Sequence, residues 1–191
     1  MNHPPYAKWE AHHRAMPTPG APEPSLIELM PMLPPGLVLD VAAGTGRNAL
    51  ALARSGRQVV AADFSPAGLR AIRKAAAAER LPIIPVVADL EAELPFAPNS
   101  FGAVVNINFL ERAAIPRLKM LLHVGGMILF ETFLIDQAAT GHPRNPSYML
   151  GHYELREMLS EMELIRYREG LTVYSENKSA WRATALARRI S

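Results

Sequence analysis

From Leu37 onward the chain alternates short apolar runs with helical segments, and a glycine-bearing turn joins the first of these pieces. Leu37-Val38-Leu39-Asp40-Val41 reads as a strand, Asn48 to Ser55 as a helix stopped by Gly56, and Gln58 to Ala62 as a second strand ending at Asp63. Apolar runs of this length without polar alternation belong to strands buried on both faces, and helices between them supply the covering layers. A βαβ unit thus opens an α/β domain built on a parallel sheet.

The alternation continues. Ser65 followed by Pro66 is an N-cap with proline at the first helical position, and the alanine-rich run to Arg80 has high helix propensity. Ile83 to Ala88 is expected as the third strand, with Asp89 at its end before the loop Leu90 to Ser100. Phe101 to Ile107 reads as strand four, Ile115 to Leu122 as a helix and Met127 to Thr132 as strand five. A helix is expected over Tyr153 to Met162, then a terminal antiparallel pair from Leu164 to Glu169 and Arg182 to Arg188.

Residues 1–36 hold many of the 17 prolines and read as an N-terminal arm of the same domain, with the domain proper at 37–191. Ser25 is placed as the cap of a short helix through Met30, with Leu26, Ile27, Leu29 and Met30 packing. At 191 residues one domain is expected. No apolar stretch approaches the roughly 20 residues of a membrane span, and no signal-like segment opens the chain, so a soluble cytoplasmic protein is expected. The formal charge of +2 without a basic stripe argues against nucleic acid as partner. With no cysteine there are no disulfides or thiolate zinc sites; His12 and His13 are adjacent, point apart and lack a third ligand, so no metal is assigned.

The turn Ala42-Ala43-Gly44-Thr45-Gly46-Arg47-Asn48 follows a strand and opens a helix, where glycine lets backbone and ligand approach closely. Gly44-x-Gly46-x-x-Ala49 by itself also passes for a nicotinamide-dinucleotide fingerprint. Asp63, 17 residues after Gly46, suits a ribose in either cofactor. Asp40 separates the two, because a carboxylate within strand one repels a pyrophosphate but attracts the ammonium of an amino-acid end. Asp89 is positioned to accept from an adenine amine. Three carboxylates at successive strands match a sulfonium nucleoside better than a phosphate.

These residues resemble the class I S-adenosylmethionine-dependent methyltransferases, whose first motif is matched by Asp40-Val41-Ala42-Ala43-Gly44-Thr45-Gly46, most firmly over residues 37–132. Gly46-Arg47-Asn48, the Trp9 to Arg14 arm, Phe109-Leu110-Glu111-Arg112 and Asn145-Pro146-x-Tyr148-Met149-Leu150 are similar to small bacterial members near the tellurite-resistance methyltransferases. The resemblance implies a Rossmann-like, seven-stranded, mostly parallel sheet with helices on both faces and an antiparallel terminal pair. It implies S-adenosylmethionine as cofactor, with Asp40 and the turn positions Ala42, Gly44, Gly46 and Asn48 toward the methionine part. It places Asp63 at the ribose, Phe64 and Leu90 at the adenine faces, Asp89 at its amine and Asn106 beside the sulfonium. Two departures stand out. Ala42 and Ala43 replace the commoner glycine or cysteine, tolerable if the backbone angles are ordinary, and Ser175-Glu176-Asn177-Lys178 lacks a His-Arg pair expected for tellurite.

Methyl transfer from a sulfonium is an in-line displacement in which alignment and exclusion of water supply most of the catalysis, so a base is optional. Arg112, His142 and Arg144, with Asn145 and Tyr148, fall on loops after strands four and five and are the substrate-positioning candidates. Their cationic groups suit a small anionic acceptor, a soft nucleophile being the other class. Arg112 is expected to pair with Glu111 or Glu131 if it does not meet substrate. Trp9 and Arg14 are read as a lid over the methionine carboxylate, against a packed anchor for the arm. The expected function is methyl transfer to a small molecule by a monomer or homodimer. The alternatives are a nicotinamide-dependent oxidoreductase, a non-catalytic S-adenosylmethionine-binding protein, and an amino-methyltransferase suggested faintly by Asn106-Ile107-Asn108-Phe109.

Overall fold

The computed structural model describes residues 4–92, 94–175 and 178–191. The arm begins with a helix not foreseen from the sequence, α1 (Pro4–Ala15). Proline is tolerated in a first helical turn, no further proline occurs before Pro17, and His12, His13 and Arg14 complement the helix C-terminus. A second helix, α2 (Pro24–Leu29), has Glu23 rather than Ser25 as its N-cap residue, because Pro24 already occupies the first helical position. Ser25 is therefore inside the first turn, with a buried hydroxyl that has no partner among the described residues. Leu26, Leu29 and Leu33 pack inward, whereas Ile27 is exposed, correcting the expected face.

Then come β1 (Val38–Val41), α3 (Arg47–Arg54), β2 (Val59–Asp63), α4 (Pro66–Glu79), β3 (Ile83–Val87) and β4 (Phe101–Ile107). Ser65 caps α4 as expected, its hydroxyl accepting from Gly68 N–H at 3.1 Å. The chain continues through α5 (Ile115–Leu121), β5 (Leu122–Leu134), α6 (Gln137–Thr140), β6 (Met149–Leu150), α7 (Glu154–Met158), β7 (Glu163–Ser175) and β8 (Lys178–Arg188).

The sheet runs β3-β2-β1-β4-β5-β8-β7, parallel from β3 to β5, with β8 the reversed strand between β5 and β7. The expected architecture is present, with one addition: two-residue β6 pairs with the end of β5, making eight strands. Residues alternate between two cores. Leu39, Val60, Val104 and Phe130 meet α5 and α7 on one face; Val38, Val59, Val105 and Leu129 meet α2, α3 and α4 on the other.

Three elements differ in extent from expectation. β5 leaves α5 directly at Leu122, and its register with β4 slips between Phe101 and Ala103. The helix expected over Tyr153 to Met162 is confined to α7, and Tyr153 before it has a left-handed backbone. The terminal strands are longer than read, because their pairing continues past the end of β5, from Leu171 opposite Trp181 to Ser175 opposite Lys178. Leu171 and Val173 there are exposed, so no burial pattern marked them. This extension carries the β7–β8 pair beyond the carboxyl end of the sheet.

The strand order changes direction between β1 and β4, where an open α/β sheet offers its crevice. Among the described residues no helix is long and apolar enough to cross a membrane.

Candidate active site

At the carboxyl end of β1, Asp40 is 1% exposed and pairs in register with Ala61 of β2 and Val105 of β4. One face of its carboxylate takes the Ala49 N–H, while Oδ2 is buried without a hydrogen-bond partner among the described residues. Burial pushes its pKa up to about 7, against the Ala49 N–H and the Arg47 charge; Asp63 adds to the rise. A bound cation at Oδ2 would reverse that cost.

The turn after β1 is left-handed at three positions: Ala42 (φ 54), Gly44 (φ 57) and Gly46 (φ 93). Ala42 therefore does not have the ordinary angles under which alanine substitutes freely for glycine. At Gly46 a Cβ would come 2.5 Å from Ile72 Cγ1, and at Gly44 it would meet His13 Nε2 at 3.3 Å. Gly46 thus lets the turn pack onto α4, and Gly44 lets His13 of α1 press against it.

Asp63 ends β2 and bridges two loops: Oδ2 accepts Gly44 N–H at 2.7 Å and Oδ1 accepts Ser65 N–H at 2.8 Å. Burial raises its pKa, and those two N–H groups and His13 oppose the rise. Asp89, beyond β3, accepts from the Tyr6 hydroxyl and from Glu91 N–H. The Tyr6 bond holds its pKa below the usual range. Phe64 lies edge-on to Tyr6, ring centroids 4.4 Å apart, and Leu90 is buried. Asn106 pairs with Val41 at the end of β4; it is fully buried, donates from Nδ2 to Phe109 O at 2.9 Å, and its Oδ1 has no partner among the described residues.

Helix α1 lies along this edge. Tyr6, Glu10 and His13, three and four residues apart, form one helical face. Tyr6 meets Asp89 and Phe64, Glu10 accepts from Ser65 Oγ and from Ala67 N–H, and His13 presses on Gly44 and Gly68. Burial lowers the His13 pKa, assisted by His12 and opposed by Asp63 and Glu10. Trp9 is half exposed, near the rings of His12 and His13, and Arg14 is exposed and paired with Glu10 at 3.1 Å. The arm meets the strand ends, but through Tyr6, Glu10 and His13 rather than through Trp9 and Arg14. The i, i+4, i+7 spacing was readable; the prolines around it hid the helix.

Next to the turn is a cavity of about 310 Å³, lined in part by Pro22, Glu23, Arg47, Asn108, Tyr174 and Arg182. Arg47 follows Gly46, and Asn108 follows β4. Arg182 is 6% exposed and lies in β8. Its Nη1 donates to Asn108 Oδ1 and to Glu131 (3.1 Å), Nη2 is 3.2 Å from Glu23, and Nε has no partner among the described residues. The Phe133 ring lies 4.3 Å from its guanidinium carbon and the Tyr174 ring 5.6 Å. Glu23 also meets Arg47 at 2.8 Å, and its N–H donates to Asn48 Oδ1 at 3.0 Å. Asn48 is thus turned to the arm.

Of the acceptor candidates, Arg112 is bound bidentately by Glu154 and donates to Met149 O, not to Glu111 or Glu131. Glu131 is taken by Arg182 and Thr184. His142, Arg144 and Tyr148 are exposed, and Asn145 caps the turn Pro146–Tyr148. None of these lines the cavity. Residues 176 and 177 of the segment lacking the His-Arg pair lie outside the described residues.

Residues 38–126 match the family described as "Methyltransferase domain". Over these residues, just under half of the chain, the sequence is that of a methyltransferase domain. A demethylmenaquinone methyltransferase of Renibacterium salmoninarum is 34% identical over 112 residues, 56% of this chain and 45% of that one. The chain thus spans under half the length of that relative. A structure from work on conversion of a disulfide bond into a thioacetal group during echinomycin biosynthesis superposes with a TM-score of 0.78 and 23% identity, covering 97% of this chain and 93% of that one. TehB from Haemophilus influenzae gives 0.75 and 23%, covering 87% and 62%. These likenesses share the fold. The cofactor of a class I methyltransferase domain is S-adenosylmethionine, and an ammonium-bearing sulfonium fits a buried, half-partnered Asp40 beside a glycine turn. Arg182 and Glu23 went unremarked because one stands in a terminal strand and the other among prolines, with no local pattern joining them.

Proposed function

We propose that this protein transfers a methyl group from S-adenosylmethionine to a small-molecule acceptor. The observation that carries the reading is Asp40: a buried carboxylate with a free oxygen at the strand end, which favours a cationic cofactor and penalises a pyrophosphate. That same penalty weighs against a nicotinamide cofactor.

In this reading Asp40 and the Gly44 turn hold the methionine part, Asp63 the ribose, and Phe64, Asp89 and Leu90 the adenine. Tyr6, Glu10 and His13 close the edge against water. The bound group supplies an activated methyl carbon, and the chain supplies alignment and exclusion of water. Asn106, in register with Val41 just before the turn and with an Oδ1 that has no partner among the described residues, orients the approach. The acceptor belongs in the cavity beside Arg47 and Asn108, a better enclosed place than the exposed loop of His142 and Arg144. Two arginines there face two glutamates, so charge balance supports a soft, uncharged nucleophile over an anion.

The test is calorimetric titration with S-adenosylmethionine, S-adenosylhomocysteine and NAD in parallel, followed by S-adenosylhomocysteine release on a panel of thiols and phenols. Binding of the first two without NAD, with turnover on one acceptor, is expected; binding of NAD alone refutes the reading.

A further inference from the structure

We infer that Glu23 sets the charge of the acceptor by filling the cavity's anion position, so that the site admits uncharged thiols and excludes carboxylates. The inference rests on the reading of this cavity as the acceptor site.

Glu23 is held between Pro22 and Pro24, with φ −66 and ψ 133, the extended backbone that a residue before proline adopts. Its N–H is fixed on Asn48 and its carboxylate points inward, where it is 7% exposed. One oxygen lies 2.8 Å from Arg47 Nη1 and the other 3.2 Å from Arg182 Nη2. A carboxylate bridging two arginines is the arrangement a bound anion takes, and here the chain itself provides the anion. Glu131, 1% exposed, matches the second positive charge.

A further anion would enter beside two arginines already paired with Glu23, with that like charge next to it. An uncharged acceptor meets no such penalty. The Tyr174 ring, which lines the cavity, offers it an apolar face. For a thiol, the sulfur lone pair forms the bond to the methyl carbon as the carbon–sulfonium bond breaks. The electrons of that bond neutralise the sulfonium, and the thiol proton leaves to solvent.

Phenylmethanethiol and benzoate share a ring and differ in charge, and their binding is measured by calorimetry with S-adenosylhomocysteine present, in wild type, Glu23→Gln and Glu23→Asp. Wild type and Glu23→Asp are expected to bind the thiol and not benzoate. Glu23→Gln is expected to gain benzoate affinity by about tenfold or more, with thiol affinity within about threefold. Should Glu23→Gln weaken the fold, melting temperatures provide the readout: benzoate raises that of the variant and not that of wild type, relative to sodium chloride at equal ionic strength. Benzoate binding alike to wild type and Glu23→Gln overturns the inference. If neither probe binds any form while S-adenosylhomocysteine does, the cavity is not the acceptor site; the inference falls, and the donor reading stands.

Discussion

Replacing Asp40 by Asn removes a buried charge while keeping an oxygen for the Ala49 N–H. Burial raises the Asp40 pKa from 3.8 to about 7 in the protein without cofactor. A folded-state pKa above the unfolded value means that the folded chain binds this proton more tightly. Its contribution is fully present below the unfolded pKa and is lost as pH rises through the folded pKa. Between about pH 5 and about pH 7 the loss accrues at about 1.4 kcal/mol per pH unit, or about 3 kcal/mol, and then stops. Asn cannot titrate, so the gap between the variant's stability and wild type's should move by about 3 kcal/mol in favour of Asn from about pH 5 to about pH 8. Any fixed cost of the buried amide cancels in that difference. Urea unfolding of both proteins at the two pH values measures it. Parallel pH dependences would refute the claim that Asp40 ionises at a cost. With S-adenosylmethionine added, wild type is expected to gain stability from the cofactor and Asp40→Asn much less, since the proposed ammonium partner is gone.

Gly44→Val is expected to abolish cofactor binding in calorimetry with a near-native circular dichroism spectrum, because a β-branched side chain at φ 57 meets His13 and fills the approach to the strand ends. A folded variant that binds normally would remove the turn from the site. Asp63→Ala should cost about 1 to 3 kcal/mol of donor affinity by the same assay, since the Gly44 and Ser65 N–H groups lose their acceptor and the ribose its anchor. Ala42→Gly, by relieving a left-handed alanine, should stabilise the protein by about 1 kcal/mol in urea unfolding; a loss of stability there would show that the Ala42 methyl packs more than it strains.

Local pattern alone determined much of this protein. Short apolar runs for β1, β2 and β4, the caps of α4 and the glycine turn are each written within a few consecutive residues, and their order implies a parallel sheet with its crevice beside Asp40. Asp40, Asp63 and Asp89 were legible because strand ends in such a sheet converge on one edge. Less was legible where partners are distant. α1 lay behind prolines, and only docking on α4 and Asp89 selects its Tyr6, Glu10 and His13 face. β7 and β8 were underestimated because beyond Phe133 their residues pair with each other and not with a core.

The cavity beside the glycine turn depended wholly on tertiary structure. Glu23, Arg47, Glu131 and Arg182 come from the arm, α3, β5 and β8. Hydrogen bonds and ion pairs between segments up to 159 residues apart (182 − 23) have no period to read, and a buried charge is placed by the partner that neutralises it. The sequence alone determined an edge of strand ends that carries three carboxylates; the packing of the arm against the reversed strand decided which charges line the cavity beside it.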